Sequence, residues 1–241
     1  MVSRLPIPGL IIVGTDAGVG KTVIAGAIAR WFRQHGTRVA LCKPIDTKCV
    51  HRREGLVSED AEFLAVAGDA LHPLDLICPQ RYGLAELPPA LAAERSGQRI
   101  EWDAVERSIR LMSRDSEVMI LEAPARLGDP IEFPSLLTLD LVRELGAPVV
   151  VVAPPRLSSL SPAVLTVRAL NTAGVRVGGI VVNRYPAESA SVTDELNLRA
   201  IERYSGAPLL AVVPDEPIRG SALPPGIIAG VDAVDWQARC G

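Results

Sequence analysis

A glycine-rich segment near the amino terminus carries the residues with the clearest chemistry. Residues 14–22 have the sequence Gly-Thr-Asp-Ala-Gly-Val-Gly-Lys-Thr and follow the apolar run 10–13. A helix is predicted to follow, so backbone N–H groups and the helix dipole can wrap an anion. Lys21 can neutralise nucleotide phosphates, and the Thr22 hydroxyl can bind Mg²⁺. The strict pattern G-x-x-x-x-G-K-[ST] would begin at Thr15, so this segment, called the P-loop below, is a variant.

Polar side chains also stand where later strands are predicted to end. Lys43 follows the second apolar run, Glu122 the third, Asn183 a later one and Asp215 the last. In a parallel sheet, ligands bind beyond the carboxyl ends of the strands, so we expect these side chains along one edge. Glu122 suits a hard cation. Asp60 could be a further oxygen ligand, although it also lies at a predicted helix N-terminus.

Lysine is rare in this chain, which has three lysines against 22 arginines. Lys21 and Lys43 stand where phosphates are expected. This favours a role for a compact ammonium at both positions, because a planar guanidinium is not its equivalent. For Lys48, chance is the better interpretation.

Short apolar runs alternate with segments of helical spacing along the chain. Strands are predicted at residues 10–13, 38–42, 118–121, 149–152, 177–182 and 209–213. Helices are predicted at residues 21–34, 59–67, 85–94, 102–114, 134–145, 162–173 and 194–204. Runs that are apolar on both faces and separated by helices predict an α/β fold, with a mostly parallel sheet covered by helices on both faces. We expect one domain over residues 1–241, with an irregular stretch at 45–97 and a poorly determined tail from residue 216.

Composition argues against several classes of protein. Hydrophobic residues make up 48% of the 241 residues, enough for a core. The net charge of −3 and the 4% aromatic content are not typical of a nucleic-acid binder. No apolar run has the length of a membrane span, and no signal layout precedes the first strand. The four cysteines lack CxxC or zinc spacing. We therefore expect a cytoplasmic protein with reduced thiols and no membrane or nucleic-acid partner.

Taken together, these motifs resemble those of the dethiobiotin synthetase family. The family's loop Gly-Thr-Asp-Thr-x-Val-Gly-Lys-Thr is nearly matched by residues 14–22, and its Lys-Pro pair by residues 43–44. Its Ser-Asp helix start is matched at 58–60 with one residue inserted. A Tyr-to-Pro segment leading into an Ala-rich helix resembles residues 82–94, and a Val-Asn pair is present at 182–183. The order and spacing agree over nearly the whole chain.

The resemblance implies a P-loop NTPase fold, a homodimer, and ATP and Mg²⁺ as cofactors. It also implies a cyclo-ligase reaction, in which one amine of 7,8-diaminopelargonate forms a carbamate with CO₂, ATP phosphorylates the carbamate, and the second amine closes a cyclic urea. It assigns Lys21 and Lys43 to catalysis, Thr22, Asp60 and Glu122 to Mg²⁺, and Thr47, Leu157 and Ser158 to the substrate, the last two across the dimer. It assigns nucleotide contacts to Gly18, Val19, Gly20, Lys21, Thr22, Val23, Asp60, Asn183, Pro214, Asp215 and Glu216.

Two departures from the family pattern keep alternatives open. The family follows its strand-end Glu with Gly-Ala-Gly-Gly, whereas residues 123–126 are Ala-Pro-Ala-Arg. Those glycines let backbone amides approach ligands, and Pro124 has no N–H. The family's Leu-Gly is Leu-Ser at 157–158. The alternatives are a divergent ATP-dependent ligase and an inactive nucleotide-binding paralogue. A partition-type switch ATPase is disfavoured because Asp16 stands where those proteins carry a lysine.

Overall fold

The computed structural model of this chain describes residues 2–53, 55–69, 71–85, 87–134 and 136–240. Its strands are β1 (Gly9–Gly14), β2 (Val39–Cys42), β3 (Ile45–Asp46), β4 (Val50–Arg52), β5 (Gly55–Val57), β6 (Gln80–Arg81), β7 (Val118–Glu122), β8 (Pro130–Glu132), β9 (Leu136–Leu137), β10 (Val149–Ala153), β11 (Val177–Tyr185) and β12 (Leu209–Pro214). Its α-helices are α1 (Lys21–Gln34), α2 (Glu59–Ala67), α3 (Leu74–Ile77), α4 (Pro89–Arg95), α5 (Trp102–Arg114), α6 (Thr138–Leu145), α7 (Leu160–Thr172), α8 (Val192–Ser205) and α9 (Pro225–Asp232).

Six strands form one parallel sheet in the order β12-β11-β10-β1-β7-β2. Strand β1 lies inside this sheet and is buried along its whole length. Its side chains alternate between the two faces, because Leu10 and Ile12 join one hydrophobic cluster whereas Ile11 and Val13 join another. Burial on both faces explains why the run is apolar throughout. The predicted parallel sheet is therefore confirmed.

Helices cover both faces of this sheet. Helices α1, α2 and α9 pack into the cluster that contains Leu10, and α5, α6, α7 and α8 pack into the cluster that contains Ile11. The predicted α/β fold with helices on both faces is thus confirmed. None of the helices in the described ranges has both the length and the apolar character to cross a lipid bilayer.

The long elements agree with the sequence predictions better than the short ones. The helices predicted at 21–34, 59–67 and 102–114 have the observed bounds. Strand β11 runs past the predicted end at residue 182, so Asn183 lies inside the strand and not after it. The helix predicted at 85–94 begins only at Pro89, because two successive prolines fit an N-terminus but not a helix interior. Residue 86 of that prediction lies outside the described residues.

The start of α6 and the whole of α9 differ from the sequence predictions. The helix expected from residue 134 begins at Thr138, because 136–137 pair with β8. Residue 135 lies outside the described ranges. Helix α9 was also missed, although its first-turn proline suits a helix start and Ile227 and Val231 are buried.

Candidate functional site

The P-loop connects β1 to α1 at the carboxyl edge of the sheet. Gly20 has a φ of 93°, and a Cβ there would lie 2.1 Å from the side-chain nitrogen of Asn183. Position 20 therefore requires glycine both for its backbone and for the close approach. The same Asn183 nitrogen donates to the Val19 carbonyl at 2.9 Å, so β11 holds the loop in place.

Lys43, just after β2, lies between two carboxylates beside the P-loop. Its Nζ donates to Glu122 Oε1 at 2.8 Å and also to Asp60 Oδ2. Thr22 Oγ1 donates to the same Glu122 oxygen at 3.1 Å. Lys43 and Glu122 are only 5% and 2% exposed. Burial alone would lower the pKa of Lys43, but Glu122 and Asp60 raise it, so the ammonium stays charged.

The electrostatics of this cluster favour an anion near Lys21. Burial lowers the pKa of Lys21, and the attraction of Glu122 offsets this only in part. An anion that approached Lys21 would stabilise its charged form. Burial alone would raise the pKa of Asp60, but Lys43 holds it below its usual value, so this carboxylate remains ionised.

The oxygens around Thr22 fit a hard cation. Glu122 Oε2 is buried and has no hydrogen-bond partner among the described residues, a costly arrangement that a cation would relieve. Together with Thr22 and Asp60 it makes an all-oxygen set of the kind that Mg²⁺ prefers. Within the described ranges, no group of three or more His, Cys, Asp or Glu residues could hold a metal. Mg²⁺ commonly uses one or two carboxylates together with substrate phosphates, and Asp60 and Glu122 are two carboxylates beside Thr22.

Two cavities meet at the P-loop. The lysine chamber, about 460 Å³, is lined by Lys21, Thr22, Lys43, Thr47, Asp60 and Glu122, among others. The proline chamber, about 650 Å³, is lined by Val19, Val23, Asn183, Pro214, Asp215 and Glu216, among others. Ala17, Gly18, Val23 and Arg184 line both. The structure therefore brings most of the predicted site residues into one continuous region.

A third cavity, of about 830 Å³, lies at the opposite edge of the sheet. It is lined by residues that precede the strands, such as Pro148 and Arg176, and contains none of the predicted site residues. Its size does not make it the functional site, because ligands of such sheets bind at the carboxyl edge.

Leu157 and Ser158 are not part of either chamber. They begin the 3-10 turn Leu157–Ser159, and Leu157 is 61% exposed. The preceding Arg156 lines the proline chamber. Within one copy of the chain, the structure does not bring Leu157 and Ser158 to the lysines.

The loop after β7 is tied to the P-loop by Arg126. Its Nε and Nη2 donate to the two carboxylate oxygens of Asp129 at 3.0 and 3.2 Å, and its Nη1 lies 3.3 Å from Asp16 Oδ1. Sequence reasoning left the role of Arg126 open. Only the fold brings it to Asp16, from 110 residues away in the chain.

Sequence reasoning also missed Asp46, which supports the start of α2. Asp46 is 3% exposed and accepts hydrogen bonds from Ser58 Oγ at 2.6 Å and from the Lys48 N–H at 2.9 Å. Ser58 Oγ in turn accepts from the Ala61 N–H at 3.0 Å and so caps α2. This chain of bonds fixes the helix turn that carries Asp60.

Comparisons with known proteins match this chain over most of its length. A family model described as an AAA domain matches residues 8–220. The ATP-dependent dethiobiotin synthetase BioD of Anaeromyxobacter dehalogenans is 36% identical over 210 residues, which cover 87% of this chain and 91% of the relative. The protein of the same name from Haloferax mediterranei is 32% identical over 228 residues, covering 91% of this chain and 88% of the relative.

Solved structures support the fold. The MinD cell division protein of Aquifex aeolicus has a TM-score of 0.54 at 17% identity, over 87% of this chain and 82% of that one. A ParA family ATPase from Chlorobium tepidum has a TM-score of 0.53 at 19% identity, over 87% and 84%. At these identities the likeness confirms a P-loop NTPase type of α/β fold and carries no information on activity.

Proposed function

This chain belongs to the ATP-dependent dethiobiotin synthetase family, and from that membership we propose that it closes the cyclic urea of dethiobiotin from 7,8-diaminopelargonate, CO₂ and ATP. The observation that carries the proposal is the placement of Lys43 between Asp60 and Glu122, beside the P-loop lysine. Charge neutralisation and positioning are what phosphoryl transfer requires of a protein.

The reaction needs three steps. An amine adds to CO₂ and loses a proton, which gives a carbamate. A carbamate oxygen takes the γ-phosphoryl group of ATP, and ADP leaves. The second amine then attacks the carbonyl carbon, phosphate departs, and a proton is lost as the ring closes.

The residues of the lysine chamber match these charges. The P-loop amides and Lys21 bind the triphosphate, and Lys43 neutralises the carbamate and the transferring phosphoryl group. Mg²⁺, held by Thr22, Asp60 and Glu122, would supply charge neutralisation at the phosphate oxygens. Thr47 contacts the diamine. The proline chamber takes the adenine, against Asn183, Pro214, Asp215 and Glu216.

We further propose that the functional unit is a homodimer in which residues 1–241 act as one domain in each copy. Four apolar side chains lie exposed on the 3-10 turn, α7 and α8: Leu157, Leu165, Val192 and Leu196, at 61%, 62%, 73% and 57% exposure. Exposed apolar residues grouped on adjacent elements favour a self-complementary interface. A second copy would also bring Leu157 and Ser158 to the substrate carboxylate. As a biosynthetic enzyme that consumes ATP, the protein is proposed to be cytoplasmic.

A single assay tests the reaction. The protein is incubated with ATP, Mg²⁺, bicarbonate and 7,8-diaminopelargonate, and the product is sought by mass spectrometry. We expect a cyclic urea and one ADP per product, and we expect neither from Lys43→Met. ATP binding without product would contradict the proposal and favour a divergent ligase or an inactive paralogue, the alternatives raised by residues 123–126.

A further inference from the structure

The end of β11 has an unusual backbone at Arg184. This residue has a φ of 62°, in the left-handed region. Among the described non-glycine residues, only Asp69 also has a positive φ. Such a conformation is unfavourable for a long side chain and persists where the surrounding structure imposes it, often at functional sites.

The pairing of β11 with β12 shows how this conformation arises. Val182 pairs with Val212, but the next pair is Tyr185 with Pro214. Asn183 and Arg184 therefore stand opposite one residue of β12, which is the arrangement of a β-bulge. Bulges turn a side chain away from regular alternation and are common beside active sites.

The bulge places Arg184 at the junction of the two chambers. Arg184 lines both the lysine chamber and the proline chamber, together with Ala17 and Gly18 of the P-loop. Its neighbour Asn183 donates to the Val19 carbonyl, so the bulge and the P-loop are linked directly. In the described part of the chain, the guanidinium of Arg184 has no hydrogen-bond partner. No carboxylate oxygen there lies within 4.0 Å of its nitrogens.

We propose that Arg184 is a ligand of the nucleotide phosphate chain, at the point where that chain passes from the proline chamber into the lysine chamber. The inference rests on the proposed function, because it takes ATP as the occupant of the two chambers. A guanidinium presents several donors in one plane and binds phosphate oxygens well. The bulge would hold it beside the P-loop amides, on a wall that both chambers share.

The test separates the effect of the Arg184 charge on ATP binding from the effect of its strained backbone on stability. Arg184→Gly removes the guanidinium and relieves the left-handed strain, so its Tm should equal or exceed that of the wild type. Its Kd for ATP, measured by calorimetry, should rise about tenfold, as expected for a lost charged hydrogen bond. Arg184→Lys should lose less ATP affinity, since it keeps the positive charge. Higher salt should reduce the difference in Kd between the wild type and Arg184→Gly. Arg107→Ala, which removes an arginine from the exposed side of α5, should bind ATP as the wild type does.

The outcomes distinguish this inference from the proposed function. If the wild type binds ATP and Arg184→Gly binds it equally well, the role of Arg184 as a phosphate ligand is wrong and the proposed function stands. A loss of ATP affinity in Arg184→Gly that stayed the same at high salt would also overturn it, because the charge of Arg184 would then not be the cause. If the wild type itself does not bind ATP, both proposals fail together.

Discussion

At the scale of single residues, the few lysines of this chain share one location. All three lysines, Lys21, Lys43 and Lys48, line the same chamber. Lys43 is enclosed by Glu122 and Asp60, where a compact ammonium meets both carboxylates. A planar guanidinium needs more room and more acceptors. The interpretation of Lys48 as chance stays a prediction, and only the folded chain shows that Lys48 shares this location.

Replacing Lys21 by methionine should separate stability from binding. Because burial lowers the pKa of Lys21, folding works against its charged form, and a neutral side chain of similar length avoids that cost. We expect an unchanged or higher Tm by calorimetry. We also expect ATP affinity to fall more than 100-fold, for a loss of about 3 kcal/mol of charge-assisted binding. Unchanged ATP affinity would contradict the phosphate role of Lys21. Arg107→Met controls for the removal of one positive charge.

Asp60 should make the free energy of unfolding depend on pH under acidic conditions. Its pKa is lowered in the folded protein, so folding favours the carboxylate. The resulting stabilisation is complete above the ordinary pKa of 3.8 and is lost as the pH falls through the lowered value. Asp60→Asn should therefore be less stable than the wild type at pH 7, by about 1 kcal/mol because solvent screens this partly exposed carboxylate, and this gap should narrow as the pH falls below 3.8.

Urea denaturation at successive pH values measures the gap for Asp60→Asn. Glu188→Gln removes an exposed carboxylate outside both chambers, and its difference from the wild type serves as the reference. A gap for Asp60→Asn that stayed constant from pH 7 to pH 3 would show that folding does not hold the pKa of Asp60 below its ordinary value.

At the scale of elements, the Ser58 cap of α2 affects both the stability of the fold and the position of Asp60 in the site. Ser58→Ala would remove the cap and leave an Asp46 oxygen unpaired, for a combined cost of about 2–3 kcal/mol. The turn that carries Asp60 would loosen, so kcat/KM should fall by more than the lost stability explains. Denaturation and steady-state turnover measure the two effects.

Asp140→Ala is the matched control for the Ser58 variant. Asp140 accepts from the Leu137 N–H at the start of α6 and lines neither chamber. This variant should lose stability and keep its turnover. If both variants lost turnover to the same degree, the α2 cap would have only a structural role.

The loop after β7 makes a similar link to the P-loop. Its Arg126 bridge is half-exposed, so its contribution to stability is at most about 1 kcal/mol. The variant with glycine at both Pro124 and Arg126 should keep nearly the same Tm but turn over more slowly, because a wall of the lysine chamber is no longer held. Steady-state kinetics measure the turnover of this variant against that of the wild type. Faster turnover would mean that the loop has drifted from a better arrangement with glycines.

Elements differed in how far the sequence could predict them. Continuous apolar runs predict buried parallel strands because both faces are covered, and residues 10–13 are one example. The P-loop was recognised because its chemistry is local in sequence. The bulge at Arg184, the pair of Arg126 with Asp16 and the support of Ser58 by Asp46 all depend on contacts between separate segments. No local pattern of residue types encodes those contacts.

At the scale of the whole molecule, the two chambers belong to one chain, whereas the proposed carboxylate contact needs a second copy. Leu165 lies on α7 and is 62% exposed, so Leu165→Glu should leave the fold and the Tm almost unchanged. A buried glutamate at a self-complementary interface would oppose its own copy, so we expect a monomer by light scattering.

The activity of that monomer gives the last and most informative prediction. ATP affinity should be retained, because the P-loop, Lys21 and both chambers are intact within each chain. The KM for 7,8-diaminopelargonate should rise, because Leu157 and Ser158 of a second copy no longer reach the substrate. Leu71→Glu, at another exposed apolar position, should remain a dimer with unchanged KM. A monomeric Leu165→Glu with the KM of the wild type would mean that one chain binds the whole substrate, and the dimer would then have no part in the site.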